Sequence, residues 1–350
     1  MALFGAQTPR EIQALPPQSL ELVVTDDDAS AIAAVKALVP GTAAVDNFVV
    51  QFANGSTQRY VKWGAFTEAE HAFVRVFREP AAPRLRFEVR CDAGAALGPA
   101  CLGRFANGQL EAWLVYHGPL KAPFPPAAPW ADSVAAKFAA FHAYRPPLHL
   151  LDVAKSQPGC WPRLVDLFAT ARAPETARAV ARRWDGAAAL IAGLDLESDE
   201  LDRRLFTLQR RAPPGARVAF CHNDAAKRVL LRGDDLDAAF CGLERAGPNY
   251  AALDLAHYAN ADAAKPPGLD DRRAFLEAYL AALHGRRPAL GDVSALLSDV
   301  CFFTVVDNYL RGFAALAAAA SGPAHEAAGL VLEAQARLQH ARAQQYVLVW

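Results

Sequence analysis

The sequence lacks several features that would define its class at once. No two of its six cysteines are spaced as C-x-x-C, which argues against a zinc ribbon and a thioredoxin-like redox site. The longest run of small apolar residues, 313–320, is far shorter than the ~20 residues that a membrane-spanning helix needs. Residues 1–5 contain no basic region followed by an apolar run, so no signal peptide is predicted. These absences favour a cytoplasmic protein with reduced thiols.

An excess of charge of one sign is also missing. The 350 residues include 36 lysines and arginines and 37 aspartates and glutamates, which gives a formal net charge of −1. The six tryptophans are scattered and form no stacking platform for bases. Nucleic acid and an acidic membrane surface are therefore not expected as main partners. The length and the 53% hydrophobic content instead suit about two globular domains or lobes.

The first third of the chain carries mainly strand signals. Runs rich in β-forming residues at 48–52 and 58–63 flank Asn54-Gly55, so a hairpin is predicted there. A second hairpin is predicted at Asn107-Gly108. Between them, acidic residues in a first turn predict a helix over about 67–78.

Beyond a stretch with five prolines, residues 118–130, the signals become helical. A short β insert interrupts the helices at about 218–241, after which helices resume to the end of the chain. The predicted fold class is therefore α+β. It has a small β-rich N-lobe of residues 1–117 with one crossing helix, a linker at 118–130, and a larger helical C-lobe of residues 131–350 that contains the β insert.

The most informative segment is Cys221-His222-Asn223-Asp224, at the end of an apolar run typical of a strand. An Asp two places after a His is how kinase-type folds present a base to a substrate hydroxyl. About twenty residues later come Leu243-Glu244 and the segment N-Y-A-A-L-D-L at 249–255. At that distance such folds hold the metal ion on the nucleotide. From the residues alone, Asp224 is either this base or a capping Asp in a turn.

These segments resemble the choline/ethanolamine kinase family, which shares the protein-kinase-like fold with aminoglycoside phosphotransferases. The family is marked by H-N-D, then D-F-E and N-Y-x-x-F-D-L. The L-G-P at 97–99 and F-A-N-G-Q-L-E at 105–111 resemble its strand pair before the hinge. The resemblance covers about residues 38–345. It implies a bilobal fold, ATP and Mg²⁺ as cofactors, and phosphorylation of a small amino alcohol, ethanolamine or choline, for phospholipid head groups.

The resemblance also implies roles in the catalytic loop. Asp224 would accept the proton of the substrate alcohol. His222 and Asp254 would be structural, with Asp254 holding the loop together. His142 is expected to be structural too, and His257 to pack or cap rather than react.

On the nucleotide side, Lys62 would contact the α- and β-phosphates. Glu70, or alternatively Glu68, would orient it from the helix predicted at 67–78, and a solvated surface pair is the other interpretation. Asn47 would close a phosphate-covering loop that begins at Gly41 and keeps only this one glycine.

Two sites depart from the family pattern. Gly242 stands where the family has the metal-binding Asp of D-F-E, and Val229 or Arg228 where it has the metal-binding Asn. Glu244 is the remaining candidate ligand for Mg²⁺. In the substrate pocket, Arg311 and Ala314 replace two Trp residues of the cation cage, Ala261 replaces an acid, and the adjacent Asp262 is the remaining candidate.

Three hypotheses stay open. The chain is a choline or ethanolamine kinase with weak activity, or a non-catalytic kinase-fold protein that binds a partner or an anion through residues such as Lys227 and Arg228. Alternatively, it phosphorylates another small hydroxyl compound, for instance an anionic one that Arg311 would attract. Nothing in the sequence identifies a symmetric interface, so the oligomeric state stays open.

Overall fold

The structure is a computed structural model that describes residues 18–19, 23–25, 27–52, 58–65, 70–76, 101–112, 131–145, 158–225, 229–232, 237–240, 245–261 and 267–349. The chain forms two compact units. The first comprises Met1–Pro119, Pro146–Val153 and Arg228–Glu244, and the second comprises Leu120–Arg145, Ala154–Lys227 and Arg245–Trp350. The lobe boundaries at 117 and 130 stay predictions.

The first unit contains a six-stranded sheet with the strand order β1-β5-β6-β4-β3-β2. All neighbours pair antiparallel except β1 and β5, which are parallel. Its elements are β1 (Gln18–Ser19), α1 (Asp28–Leu38), β2 (Phe48–Phe52), β3 (Gln58–Trp63), β4 (His71–Val76), β5 (Cys101–Phe105) and β6 (Gly108–Ala112).

Helix α1 covers one face of this sheet. Its start is fixed by Asp27, whose carboxylate accepts a hydrogen bond from the Ser30 amide at 2.6 Å. Apolar residues at spacings of three and four place one stripe of the helix against the sheet. The resulting buried core consists of residues of the helix, Ala31, Ala34, Val35 and Leu38, and of the strands, Val61, Trp63, Ala72, Val74, Phe105 and Leu110.

The opposite face of the sheet is polar. Residues paired across neighbouring strands project to the same side, and side chains alternate along each strand. Lys62 pairs with His71, and Arg75 pairs with Gln109. These residues alternate with the core residues of β3, β4 and β6. The side of the sheet away from α1 therefore carries charged side chains, of which that of Arg75 is buried.

The helix predicted at 67–78 is wrong over residues 71–76. Residues 71–76 form strand β4, and Glu70, directly before it, has a 3₁₀ conformation. The segment H-A-F-V-R-V alternates between core and polar face, with Ala72 and Val74 fully buried. This period of two outweighs the acidic first turn that suggested a helix, because burial of one strand face contributes more than a favourable charge at a helix terminus.

The second hairpin is confirmed by β5 and β6, which meet at Asn107. The Asn107 side chain accepts from the Val24 amide at 2.9 Å and donates to the Val24 carbonyl at 2.7 Å. A Cβ atom at Gly108 would lie 2.2 Å from the backbone oxygen of Arg75, so this close approach of two strands requires glycine. The β-forming residues at 84–89 predict a further strand, and both this segment and the predicted linker at 118–130 lie outside the described residues.

The second unit is mainly helical. Its helices are α2 (Ala131–Ala143), α3 (Cys160–Arg172), α4 (Pro174–Ala181), α5 (Ala187–Ala192), α6 (Asp199–Arg210), α7 (Ala251–Ala259), α8 (Leu269–His284), α9 (Leu290–Ser321) and α10 (Ala327–Val349). The Ala- and Arg-rich segment 174–194 predicts one helix, but the structure has two, α4 and α5, because residues 182–186 between them are not helical. Gly312 allows α9 to approach α10, because a Cβ there would lie 2.9 Å from Leu338.

The β insert forms two separate hairpin-like pairs. Strands β7 (Val218–Cys221) and β10 (Gly247–Tyr250) pair antiparallel in the second unit, and β8 (Val229–Arg232) pairs with β9 (Asp237–Phe240) in the first. None of the helices in the described ranges is long and apolar enough to cross a membrane.

Candidate active site

The two chemistry-bearing segments of the second unit meet at the β7–β10 pair. Cys221, the last residue of β7, lies opposite Gly247, the first residue of β10. The His222–Asp224 loop therefore leaves β7 beside the start of β10, and α7 begins directly after β10. This register brings the H-N-D segment next to the N-Y-x-x-x-D segment.

Asp254 fixes the conformation of this loop. Its Oδ2 accepts a hydrogen bond from the His222 amide at 2.7 Å, and its Oδ1 accepts one from the Asn223 amide at 2.8 Å. The carboxyl is 2% exposed. Burial opposes its charge, but the hydrogen bond and charge of His142, with His222, hold the pKa of Asp254 below its ordinary value. Both carboxylate oxygens are therefore committed to holding the loop.

Asn223 adopts a left-handed conformation with φ +63°, which Asn tolerates better than most residues. Its side chain donates to the Arg245 carbonyl oxygen at 2.8 Å and accepts from Asn249 Nδ2 at 2.7 Å. The Asp224 amide in turn donates to His222 Nδ1 at 3.2 Å. Hydrogen bonds of the Asn223 side chain and of the Asp224 amide thus fix the backbone that carries Asp224.

Asp224 is the accessible carboxylate of the loop, with 29% of its side chain exposed. Two cationic side chains flank it. Arg245 Nη1 lies 3.8 Å from Oδ2, and His257 Nε2 lies 3.7 Å from Oδ1. The structure therefore places Asp224 between positive charges rather than in a solvated turn of neutral groups.

His257 is held from its other side by Asp307. Its Nδ1 lies 2.5 Å from Asp307 Oδ1, and Asn260 Nδ2 donates to Asp307 Oδ2 at 2.8 Å. Burial disfavours a charged ring, but Asp307 and Asp224 outweigh it and raise the pKa of His257 to about 9. This pKa favours an imidazolium at neutral pH, so His257 contributes charge beside Asp224, and the expectation that it packs or caps rather than reacts stays a prediction. The spacing of three residues from Asp254 on α7 is the sequence signal that places it on the loop side of the helix.

Arg163 on α3 approaches the same loop. Its Nη1 donates to the Asn223 carbonyl oxygen at 3.4 Å. Burial, and next the positive charge of Arg245, lower the pKa of Arg163, while Asp224 and Asp307 oppose the shift. Two guanidinium groups and one imidazolium are therefore gathered about the single accessible carboxylate of the described loop.

The described residues do not fit Mg²⁺ well. A magnesium ion requires several hard oxygen ligands in octahedral geometry. Around the loop, Asp224 is flanked by cations, Asp254 is bonded to two amides, and Asp307 is bonded to His257 and Asn260. The predicted ligand Glu244 and the predicted pocket residue Asp262 lie outside the described residues.

One buried cluster has the composition of a metal site: His142, Cys221 and Asp254. His142 is bonded through Nδ1 to the Tyr279 hydroxyl at 2.9 Å and through Nε2 to Asp254 at 3.2 Å. Burial raises the pKa of the Cys221 thiol well above its ordinary value, which disfavours the thiolate that binds metals. The cluster is a packed hydrogen-bond network, as expected for a structural His142.

Arg311 does not face an incoming anion. Its Nη1 donates to the Asn260 carbonyl oxygen at 2.8 Å, and its Nη2 lies 3.2 Å from Glu333 Oε1. Only 13% of its side chain is exposed. The positive charge of Arg311 is therefore matched within the protein, and the idea that it attracts an anionic substrate is not supported by this arrangement.

The nucleotide-side candidates lie in the first unit. Lys62 Nζ is 5.0 Å from the centre of the Tyr60 ring, a cation–π contact. Asn47 Nδ2 donates to the Gly64 carbonyl oxygen at 2.6 Å, where it closes the β2–β3 pair. Glu70 lies against Gly64 as well, because a Cβ there would be 2.5 Å from Glu70 Oε1. Glu70 has a 3₁₀ conformation directly before β4, and its predicted pairing with Lys62 stays a prediction.

Arg75 is a residue that the sequence analysis missed. Its guanidinium forms two parallel hydrogen bonds with Glu111, from Nε to Oε1 at 2.9 Å and from Nη2 to Oε2 at 3.0 Å. Both side chains are buried, and Gln109 also donates to Glu111. Arg75 lies in β4, the third strand of the β2–β3–β4 meander. The sequence signal that could have identified Arg75 is a charged residue within the alternating segment H-A-F-V-R-V at 71–76.

Comparisons with known structures define the class of fold. The ethanolamine kinase of Plasmodium vivax aligns with a TM-score of 0.68 at 15% identity, covering 98% of this chain and 98% of that one. The choline kinase of Cryptosporidium parvum aligns with a TM-score of 0.66 at 16% identity, covering 92% and 96%. An aminoglycoside phosphotransferase-like protein of Ralstonia eutropha aligns with a TM-score of 0.53 at 11% identity, covering 91% and 98%. The predicted bilobal, protein-kinase-like fold is confirmed.

The family follows from the sequence. A family model for choline/ethanolamine kinases matches residues 49–342, most of the chain. The chain belongs to the choline/ethanolamine kinase family. A comparison with curated proteins gives no match.

Proposed function

We propose that the protein is an ATP-dependent phosphotransferase that phosphorylates the hydroxyl group of a small alcohol, with Asp224 as the general base. The observation that supports this most is the construction of the loop. Asp254 binds two successive backbone amides, Asn223 adopts φ +63°, and the next residue, Asp224, is the carboxylate left accessible. A buried carboxylate and a left-handed residue are costly, which is typical of loops that serve chemistry.

In the proposed reaction, Asp224 accepts the proton of the alcohol while the alcohol oxygen attacks the γ-phosphorus of ATP and ADP leaves. On the nucleotide side, Lys62 projects from the polar face of the first unit's sheet and suits a phosphate contact, whereas the guanidinium of Arg75 is buried and bound to Glu111. Asn47 and Glu70 support the end of the same hairpin.

Choline and ethanolamine are the first substrates to test, as the family includes kinases for both, and phospholipid head-group synthesis is the corresponding process. We expect turnover on them to be weak. Gly242 and Val229 offer no side-chain oxygen to Mg²⁺, and Arg311 stands where the family has an aromatic residue for the cationic head group.

A non-catalytic binding role is the second candidate. It is favoured by the Arg245–Asp224 contact at 3.8 Å, which occupies the proposed base with a positive charge. A catalytic base in an active kinase is reached by the substrate, so a permanent ion pair there would suppress transfer.

A transfer assay with ATP and ethanolamine or choline, with and without Mg²⁺, separates the two. If Asp224 is the base, Asp224→Asn lowers the rate by about a hundredfold or more. The matched control is Asp202→Asn, which removes an exposed aspartate paired with Arg172 at 3.3 Å, and it leaves the rate unchanged. Equal rates for Asp224→Asn and wild type exclude Asp224 as the base. Absence of turnover on every alcohol favours the binding role.

A further inference from the structure

We propose that Arg163 and Arg245, backed by His257, form a binding site beside Asp224 for a phosphate group, which they contact directly rather than through a magnesium ion. This inference rests on the proposed function, since it gives the reaction centre at Asp224 its source of positive charge. The ligand is a phosphate group either of the nucleotide or of a phosphorylated alcohol that serves as substrate.

The first support is convergence. Arg163 comes from α3, Arg245 from the segment before β10, and His257 from α7, so three separate elements bring cations to one loop. Arg163 donates to the Asn223 carbonyl oxygen at 3.4 Å, and Arg245 reaches Asp224 at 3.8 Å. The two guanidinium groups therefore contact consecutive loop residues, Asn223 and Asp224. A phosphate bound by both groups would lie beside Asp224.

The second support is the local balance of charge. Among the described residues, His257 is matched by Asp307 at 2.5 Å and Arg245 is loosely matched by Asp224. Arg163 has the Asn223 carbonyl as its bonded acceptor there, and that group carries no full charge. Because its hydrogen-bonded acceptor is uncharged, Arg163 brings a positive charge to the loop that favours an anionic ligand over a cationic one.

The third support is geometry suited to phosphate. A guanidinium presents several donors in a planar fork that matches phosphate oxygens, which a metal ligand set of carboxylates does not. Arg245 is exposed and Arg163 half-buried, so a ligand has access to both. Arg311 is excluded from this site because its donors are used by Asn260 and Glu333. Gly242 stands where the family has its metal-binding Asp, and two guanidinium groups are a source of positive charge that requires no metal ion.

The test is isothermal titration of the full-length protein with ATP in EDTA, and separately with inorganic phosphate. We expect measurable binding without metal. Arg245→Gln and Arg163→Gln each weaken it by about tenfold, the loss typical of a charge-assisted hydrogen bond. Arg163→Lys keeps the charge, and it should retain part of the affinity if Arg163→Gln fails to fold. The matched control is Arg172→Gln, which removes an exposed arginine of the same helix α3.

Two further ligands identify the source of the phosphate. If Arg245→Gln weakens ATP but not ADP, the γ-phosphate occupies the site. If it weakens glycerol 3-phosphate and leaves ATP unchanged, the site holds the phosphate of a substrate. Either pattern supports the inference, whereas wild-type affinities for all these ligands in Arg245→Gln and in a folded Arg163 variant overturn it.

The outcomes also separate this inference from the proposed function. Turnover that needs Asp224 but is insensitive to both arginines leaves the proposed function standing and refutes the phosphate site. Metal-free phosphate binding that needs the arginines, without turnover on any alcohol, supports the phosphate site and refutes the proposed function.

Discussion

Replacing Asp307 with Asn tests the electrostatic reasoning about the candidate active site most directly. Asp307 lies 2.5 Å from His257 Nδ1 and raises the pKa of His257 to about 9, against an ordinary value of 6.5. That difference corresponds to about 3 kcal/mol of free energy between the charged and neutral ring. In Asp307→Asn, burial still lowers the pKa of His257, and Asp224, 3.7 Å away, is the carboxylate of this pair that still raises it. The pKa of His257 should therefore fall by more than one unit.

The stability change has a defined pH window. Because the folded-state pKa of His257 lies above the unfolded value, its contribution is complete below pH 6.5 and is lost as the pH rises through about 9. Burial opposes the charge on Asp307, but His257 holds the pKa of this carboxyl below its ordinary value. Protonation of Asp307 at low pH therefore also removes the stability that the ion pair contributes. Each pKa unit that His257 loses in Asp307→Asn removes about 1.4 kcal/mol of stability, so near pH 6 the unfolding free energy of the variant should lie at least about 1.4 kcal/mol below that of wild type, and the difference should shrink towards pH 10.

Two measurements check this: an NMR titration of the His257 ring and urea unfolding between pH 5 and pH 10. Glu326→Gln is the matched control, because Glu326 is an exposed acid 3.7 Å from the exposed His325. It should leave the His257 titration unchanged. A His257 that titrates near 6.5 in wild type, or a stability difference that is constant over this range, would refute the reasoning.

Two further predictions concern buried charges. Asp254→Asn leaves one acceptor oxygen for the two amides of His222 and Asn223. We expect the free energy of unfolding, measured in urea, to fall by about 2 kcal/mol, and transfer activity to fall with it. Unchanged values of both would contradict the role of Asp254 in the loop. Arg75→Met leaves Glu111 buried without its bidentate partner and should cost about 3–5 kcal/mol, whereas Arg75→Met with Glu111→Leu should recover more than half in a double-mutant cycle.

The elements that were predicted well have local causes. The hairpin at Asn107 follows from a two-residue turn signal, and the long helices follow from periodic apolar residues. The strand β4 was missed because acids before an alternating segment satisfied a helix rule, while the decisive factor was a partner strand on either side, β3 and β6. Pairing with distant strands is not encoded within the segment itself.

The site was predictable to the same extent. The loop around Asp224 was found from a short motif, and its structural support by Asp254 was expected. Asp307 lies 83 residues after Asp224 and Arg163 lies 61 residues before it, so no local spacing relates them. A charged residue in the apolar helix α9 was the one hint, because a fully buried carboxylate requires a partner and His257 is the basic residue that α7 presents to it.

Arg311 and Arg163 show why partners decide the role of a charge. From the sequence, Arg311 was the arginine expected to meet a substrate, because it replaces a residue of the cation cage. In the structure its charge is matched by Glu333 and its donors are bonded to carbonyl oxygens, while Arg163 donates to one loop carbonyl and lies beside another cation. An arginine whose donors are already used adds little attraction for a ligand. The proposed phosphate site therefore predicts that ligand binding depends on Arg163 and Arg245 near Asp224, and not on the substitution in the cage alone.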